Sequence, residues 1–529
     1  MCNVVITRCI FSDNTNYSSG GAISNYSYGE GGKVTIENCA FAGNKSDENG
    51  GAVTNDNHIN VTIISCDFSK NSGGSYGLGG AIHNNNGCNV SITASTFSEN
   101  SAANGGAIYN YATLTITNCS FDKNTAEEKT EDIGSARGGG AIYCGKDLTL
   151  QNCSFTENVS QTNGGAIYKD VFLSGTTTVT LCKFSYNIAR NGDGGAFYDW
   201  AGYTNATFTD CVFEGNYAST NGGAVSEAED FTNCTFIYNS ASENGGAVYN
   251  VHGLLLKTCL SNCTFAYNSA SSGGAVYSEY NNELFAVNCT FVMNKANSSD
   301  EISTSGIVTL INSIIWNTNP NCIYVSPNTY NVMVNCAAAS GSVNESAFAS
   351  AKRYGYTGEQ GTINITDWLS THKSKDVSVD NVVQTIFELT SMDLKLIHGG
   401  INASSDLEIH NPSRIEIIKT LLSESFDQIG VKRNAENPTI GAVEYVGAAY
   451  NESSDGNETQ NGSGTQNESS QGNVNNETTP QQNNQNNNVN NNVPENTGDP
   501  SSGDGGGGGC NTFATLSGLA LIFLKLKRK

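Results

Sequence analysis

The chain has 529 residues, enough for several ordinary domains or for one extended array. It carries 26 Lys and Arg against 50 Asp and Glu, and a net charge of -24 argues against nucleic acid or an anionic bilayer as partner of the body. With 58 Gly but 7 Pro it is not collagen-like, and of its 17 Cys ten fall at one repeated position, so they belong to a repeat and not to a small disulfide scaffold.

The opening residues, MCNVVITRCIF, read as the inside of a strand, with neither a charged n-region nor an apolar h-region. An amino-terminal signal and cap are therefore expected to be missing from this sequence. From there the phrase Cys-x-Phe-x-x-Asn recurs at Cys9, Cys39, Cys66, Cys119, Cys153, Cys182, Cys211, Cys234, Cys263 and Cys289, and an eleventh copy has Ser95 in place of the thiol. Between copies stands Gly-Gly-Ala followed by an apolar residue: Ile23, Val53, Ile82, Ile108, Ile142, Ile167, Phe197, Val225, Val248 and Val276. The Phe-to-Phe spacing runs from 23 (Phe213 to Phe236) to 34 (Phe121 to Phe155). A unit of that length with period-two apolar runs and no helical period suits one coil of a solenoid. The expected fold is all-β, a right-handed single-stranded parallel β-helix.

In LTITNCSF the period-two pattern of Leu114 and Ile116 shifts parity before Cys119 and Phe121, which predicts a corner at Asn118. The Asn three after each Phe marks a second corner, and Gly-Gly a third. Asn suits both corners because it tolerates left-handed backbone and because stacked amides hydrogen-bond along the axis. Stacking at about 4.8 Å per coil places the Phe, the Ile or Val and the Cys in separate internal columns. The thiols are expected to be free and to pack as small hydrophobes. No Cys-x-x-Cys pair or His cluster points to a metal, and no cofactor is expected.

Three features carry candidate chemistry. Tyr109, Tyr143, Tyr168, Tyr198, Tyr249 and Tyr277 follow the apolar residue of the Gly-Gly-Ala phrase, so alternation points them outward, in a stripe interrupted by Ser226. The stripe is either a self-stacking ladder or a contact surface for an extracellular glycan or protein. The next position is mostly Asn, but Lys169, Asp199 and Glu227 replace it on consecutive units, with Asp170 and Trp200 adjoining. Two carboxylates one coil apart would lie near the roughly 5 Å that a retaining glycosidase uses, or could share a calcium, while Lys169 beside Asp199 reads equally as an ordinary ion-pair ladder. The longest insertion, AEEKTEDIGSARG after Phe121, is highly charged, must lie in solvent and offers a second contact face.

The alternation of Gly-Gly-Ala-Ile with Phe-x-x-Asn resembles the repeats of chlamydial polymorphic outer membrane proteins, over residues 1–316. The resemblance implies a β-helix displayed at a cell surface and engaged in adhesion. In that family an outer-membrane β-barrel follows, and no run of amphipathic barrel strands is present here. Residues 317–445 read as degenerate last coils and a carboxy-terminal cap, with SRIEIIKTLLSES a short helix, and DQIGVKRNAENPTIGAVEY resembles the closing segment of bacterial surface β-helix proteins. Residues 446–509 are too poor in apolar side chains to bury a core and read as a disordered tether. Residues 510–529 are a membrane anchor or sorting signal: the glycine run, Cys510, a short apolar stretch and a basic end resemble Gly-Gly-Gly-Cys-Asn sorting signals, which implies cleavage or lipidation near Cys510. Membrane contact is expected through this segment only. A surface-displayed, non-enzymatic binding or adhesion protein is the leading expectation, a polysaccharide lyase or glycoside hydrolase on the same scaffold is its rival, and an inert surface scaffold is a third reading.

Overall fold

The computed structural model describes residues 3–338 apart from 28–30, 128–136, 171–174, 201–204, 252–256, 280–281, 320–321, 327–330 and 335, and beyond them residues 363–364, 374–379, 382–387, 417 and 420–422. A representative coil runs through Thr113–Thr117, Ser120–Asp122 and Thr125–Ala126, then crosses to Ile142–Cys144. Corresponding strands of successive coils pair in parallel, giving sheets of 13, 14, 8 and 12 strands that wrap the main core. The chain is an all-β parallel β-solenoid, as its periodicity predicts.

The register is strictly like on like. Phe11, Phe41, Phe68, Phe97 and Phe121 stack with ring centroids 4.7–4.9 Å apart and planes within 6°. The column continues through Phe155, Phe184, Phe213, Phe236, Phe265 and Phe291 at 4.7–5.0 Å. From Phe41 to Phe291 these rings are fully buried, and each contributes about 1.5–3 kcal/mol as an upper bound. Ile108 pairs with Ile142, and Ile142 with Ile167, in a second column.

The first corner has left-handed backbone at Asn38, Asn118, Asn152, Asn233, Asn262 and Asn288, as expected, with φ of 51–55°. At the second corner the expectation is corrected. The left-handed residue there is the one before the Asn, for example Lys123, Glu157, Tyr186, Tyr238 and Tyr267, with φ of 52–58°. The Asn itself turns inward and carries the ladder. In each step the backbone N–H and the side-chain amide of one Asn both donate to Oδ1 of the next: Asn158 to Asn187 at 3.0 and 2.9 Å, Asn187 to Asn216 at 3.0 and 2.9 Å. The same amide also donates to the carbonyl of the Phe one coil earlier, as Asn187 Nδ2 does to Phe155 O at 3.0 Å.

The glycines answer two separate constraints. The first of each pair has φ near 60–75°, as at Gly164 with 63°. The second lies against the next coil: a Cβ on Gly165 would sit 2.0 Å from the Gly195 carbonyl oxygen. The thiols at the repeated Cys-x-Phe position are free and, from Cys39 onward, buried, yet they do more than fill space. Cys182 Sγ donates to Thr180 O at 3.3 Å and accepts from Cys153 N at 3.4 Å. Ser95 makes the same pair of bonds, to Thr93 O at 2.9 Å and from Cys66 N at 3.1 Å, so a hydroxyl can stand in for the thiol.

The inner ladder ends on Glu301, where Ser299, Asp300 and Glu301 align with Gly273, Gly274 and Ala275 of the coil before. The amide of Asn294 donates to Glu301 Oε2, and that of Asn317 donates to Oε1 at 2.8 Å. Strands continue through Val332–Val334 and Ala337–Ala338. The helical residues Ile417, Leu421 and Leu422 pack on Cys259, Phe285, Val287 and Ile311, covering the outer side of the first sheet in the last coils. Most of 317–445 lies outside the described residues, as do the tether and the carboxy-terminal segment.

Two outcomes are predicted. Asn187→Ala leaves two buried donors of Asn158 without their acceptor, and chemical denaturation should show a loss of about 2–4 kcal/mol centred on the coils it joins. Burial pushes the Glu301 carboxyl up to about 8. Its folded pKa therefore lies above its unfolded value near 4.5, the folded state holds the extra proton, and stability falls as pH rises through that window. Urea midpoints should decline from pH 4.5 to 8, and Glu301→Gln should flatten that slope.

Candidate functional site

The tyrosine stripe occupies its expected register but not its expected environment. Tyr109 pairs with Tyr143, and Tyr168 with Tyr198, on the side of the strand opposite the Ile column. Tyr143 is fully buried, Tyr109, Tyr168, Tyr198 and Tyr249 are nearly so, and only Tyr277 is half-buried. The stripe is therefore not an open contact face. Four of the rings form a second, smaller core beside the main one, with Leu78 and Tyr111 packed against it. Ring centroids lie 4.2 Å apart for Tyr109 and Tyr143 and 5.4 Å for Tyr143 and Tyr168, and Tyr111 meets the first pair edge-on. Self-stacking of large flat side chains at about one coil spacing accounts for that burial.

One polar cluster closes this core. Tyr143 Oη donates to Asp170 Oδ2, and Arg137 Nη1 donates to the same carboxylate oxygen and to Tyr143 Oη, the last at 3.0 Å. Asp170 is buried while Arg137 is partly exposed, so the guanidinium compensates a carboxylate withdrawn from water. Burial raises the pKa of Tyr109, Tyr143, Tyr168 and Tyr198 above the ordinary phenol range, so none is a ready proton donor at neutral pH. His83 stacks on Tyr109 at 5.6 Å, and burial depresses it to about 4. The charged insertion lies largely outside the described residues. Arg137, near its end, anchors it to the tyrosine core.

The position that changes from Asn to Lys169, Asp199 and Glu227 is also inside. Asn25, Asn55, Asn84 and Asn110 form a ladder there, with amide-to-carbonyl distances of 2.8, 2.7 and 3.1 Å. Cys144 receives the Asn110 amide at 3.7 Å, and Lys169 and Asp199 follow in register. Lys169, Asp199 and Glu227 are all buried. Lys169 Nζ donates to Asp170 O at 3.3 Å, and the Glu227 carboxylate accepts from Val251 N at 3.1 and 3.2 Å. Burial, with the charges of Asp230 and then Asp199 beside it, lifts Glu229 to about 7, and burial lifts Asp230 to about 6. These carboxylates gather on neighbouring coils, but a retaining mechanism needs them to face a bound sugar. Two grooves lie away from them: one of about 530 Å³ along Arg8, Cys9, Asn38 and Thr96, and one of about 220 Å³ between Lys45, Asp47, Ser72 and Glu127. Among the described residues no group of three or more His, Cys, Asp and Glu is placed to hold a metal ion. Cys510 lies outside the described residues.

A surface the sequence reading passed over is the left-handed residue of the second corner. Lys70, Glu99, Lys123 and Glu157 occupy it in the middle coils, with Lys70 3.9 Å from Glu99 and Lys123 3.8 Å from Glu157. Tyr186, Gly215, Tyr238 and Tyr267 occupy it in the next four, and Tyr186 and Tyr238 are exposed at 44% and 54%. The signal was legible as Phe-x-Tyr-Asn in FSYN, FIYN and FAYN, where five other coils have a charge before the Asn and the rest have Gly43, Gly215 or Met293.

Treating the native protein with tetranitromethane and mapping peptides should find Tyr238 and Tyr76 nitrated and Tyr143 and Tyr168 spared. Native-state nitration of Tyr143 would show the inner stripe to be open. The family model for the Chlamydia polymorphic membrane protein repeat matches residues 94–111, 118–145, 152–169, 210–226, 233–251 and 262–279. No curated protein matches the chain. Each matched segment spans the Gly-Gly-Ala phrase, the Cys-x-Phe corner or both, the elements that build the coil. The chain is a parallel β-solenoid that contains six segments matching the Chlamydia polymorphic membrane protein repeat.

Proposed function

We propose that this protein is displayed at the cell surface and binds an extracellular glycan or protein, as an adhesin does. The observation that carries the reading is the set of polymorphic membrane protein repeats on a solenoid whose interior is occupied by self-stacking side chains, which leaves corners and insertions as the variable surface. The acidic balance fits a body that holds off nucleic acid and anionic lipid. In this reading residues 446–509 tether the solenoid and residues 510–529 address it to the membrane, with processing near Cys510.

The half-buried carboxylates Glu229 and Asp230, near the buried Asp199 and Glu227, favour a second reading, hydrolysis or elimination on a polysaccharide, because groups whose pKa is raised toward neutrality, as those of Glu229 and Asp230 are, can act as general acids. The full chain incubated with acidic and neutral polysaccharides separates the two. Retention without release of reducing or unsaturated ends is the expected result. Bond cleavage abolished by Asp199→Asn would replace the binding reading with the enzymatic one. Protease added to intact expressing cells should cut the solenoid, and protein recovered from that surface should end near Cys510. Protection of the solenoid from external protease would overturn surface display.

A further inference from the structure

We propose that the aromatic half of the second corner, Tyr186 to Tyr267, is a binding strip for an uncharged, linear glycan; this rests on the binding reading above and assigns it a site and a ligand class. The strip occupies a position where the coil imposes left-handed backbone, with φ of 57° at Tyr186, 58° at Tyr238 and 57° at Tyr267. A bulky aromatic residue is unfavourable in that conformation, and the same position holds Asp13, Gly43, Lys70, Glu99, Lys123 and Glu157 in other coils. Folding alone therefore does not call for tyrosine there. Exposure does not either, since Tyr186 and Tyr238 leave large apolar surfaces in water.

The rings form one continuous feature. Tyr238 and Tyr267 stack at 5.3 Å with planes 17° apart. Gly215 stands between Tyr186 and Tyr238 in the column, and the Tyr186 ring fills the space a Gly215 side chain would take, 2.5 Å from where its Cβ would stand. Tyr186, Gly215, Tyr238 and Tyr267 thus span roughly 14 Å along the axis, three intervals of about 4.8 Å. Tyr217, exposed at 37%, flanks the strip and shares a hydrogen bond of 3.1 Å with Ser242.

Charge selects among ligands. Lys183, on the strand that leads into Tyr186, is held by Glu214 at 2.8 Å, and Glu214 also accepts from Tyr186 Oη at 3.3 Å. That cation is thereby engaged, and the net charge of -24 repels an acidic chain. What the strip does offer is flat apolar area edged by hydroxyls, repeated at the coil rise. Tyr provides such area at low conformational cost, and the hydrogen-rich faces of pyranose rings fit it. A linear polymer whose rings repeat at nearly the same rise can use several tyrosines at once, so that weak contacts add.

The test uses the full chain and its Tyr186→Asn, Tyr238→Asn and Tyr267→Asn variants, Asn being chosen because it tolerates left-handed backbone. Glu99→Asn, on the charged half of the same corner, is the control. Titration calorimetry with cellohexaose, xylohexaose and mannohexaose, and with polygalacturonate oligomers, should show binding of at least one uncharged oligomer. Each tyrosine variant should weaken that binding by about tenfold, with unchanged thermal unfolding and with Glu99→Asn indistinguishable from the parent. Binding of the uncharged oligomers undiminished in all three tyrosine variants would overturn this assignment while leaving the binding reading standing. So would binding of only the acidic oligomers, or of a protein ligand with no effect of the tyrosine variants. Failure of the parent to bind any glycan or any cell surface would overturn both.

Discussion

One shared acceptor sets the geometry of every coil. The Oδ1 atom of each corner Asn receives both the backbone N–H and the side-chain amide of the Asn one coil before, from Asn14 to Asn294. A single oxygen thus fixes the turn and the axial register together. Because that register is like on like, each residue's nearest neighbour is its own counterpart in the next coil, and every inward position must be compatible with itself. Phe on Phe, amide on amide and thiol on thiol satisfy that demand. The second Gly of each pair satisfies it by having no side chain to meet the next carbonyl. A charge cannot satisfy it unaided, and the inner column alters its composition over several coils where Lys169 and Asp199 enter.

Most of this fold was legible because self-compatibility writes periodicity into the sequence. The Phe column, the Ile and Val column, the corner at Asn118 and the two glycines followed from residue type and spacing alone. The departures have physical causes. The left-handed residue at the second corner precedes the Asn, since an amide that must accept from two groups and donate to two more is needed inside, while the strained backbone falls to whichever exposed residue comes before it. The cysteines read as hydrophobes, yet Ser95 and Ser313 show that the position wants a hydrogen-bonding atom of small size. Alternation told which side of the strand Tyr143 and Tyr168 face, but it could not tell that a second core would close over them around Arg137 and Asp170.

The same logic separates structure from function. Inward columns are constrained coil after coil, whereas the exposed left-handed corner needs only a residue able to adopt its backbone. It can therefore change from an ion-paired row to an aromatic one without disturbing the ladder beneath it. The tyrosines that read as either a self-stacking ladder or a contact face stack and stabilise the body, and Tyr186 and Tyr238 at the corner face water. Reading function in this solenoid means looking for positions where residue type exceeds what stacking requires.

The central claim is that one uninterrupted ladder of corner amides ties the coils into a single body. Hydrogen exchange of the backbone N–H groups of Asn44, Asn71, Asn100, Asn124, Asn158, Asn187, Asn216, Asn239 and Asn268, followed in the native state, measures it directly, because each of these groups donates to the next Asn side chain. The account predicts strong protection at all nine, highest at the middle coils and falling only toward the ends. Rapid exchange at Asn158 or Asn187 in an otherwise protected protein would contradict it.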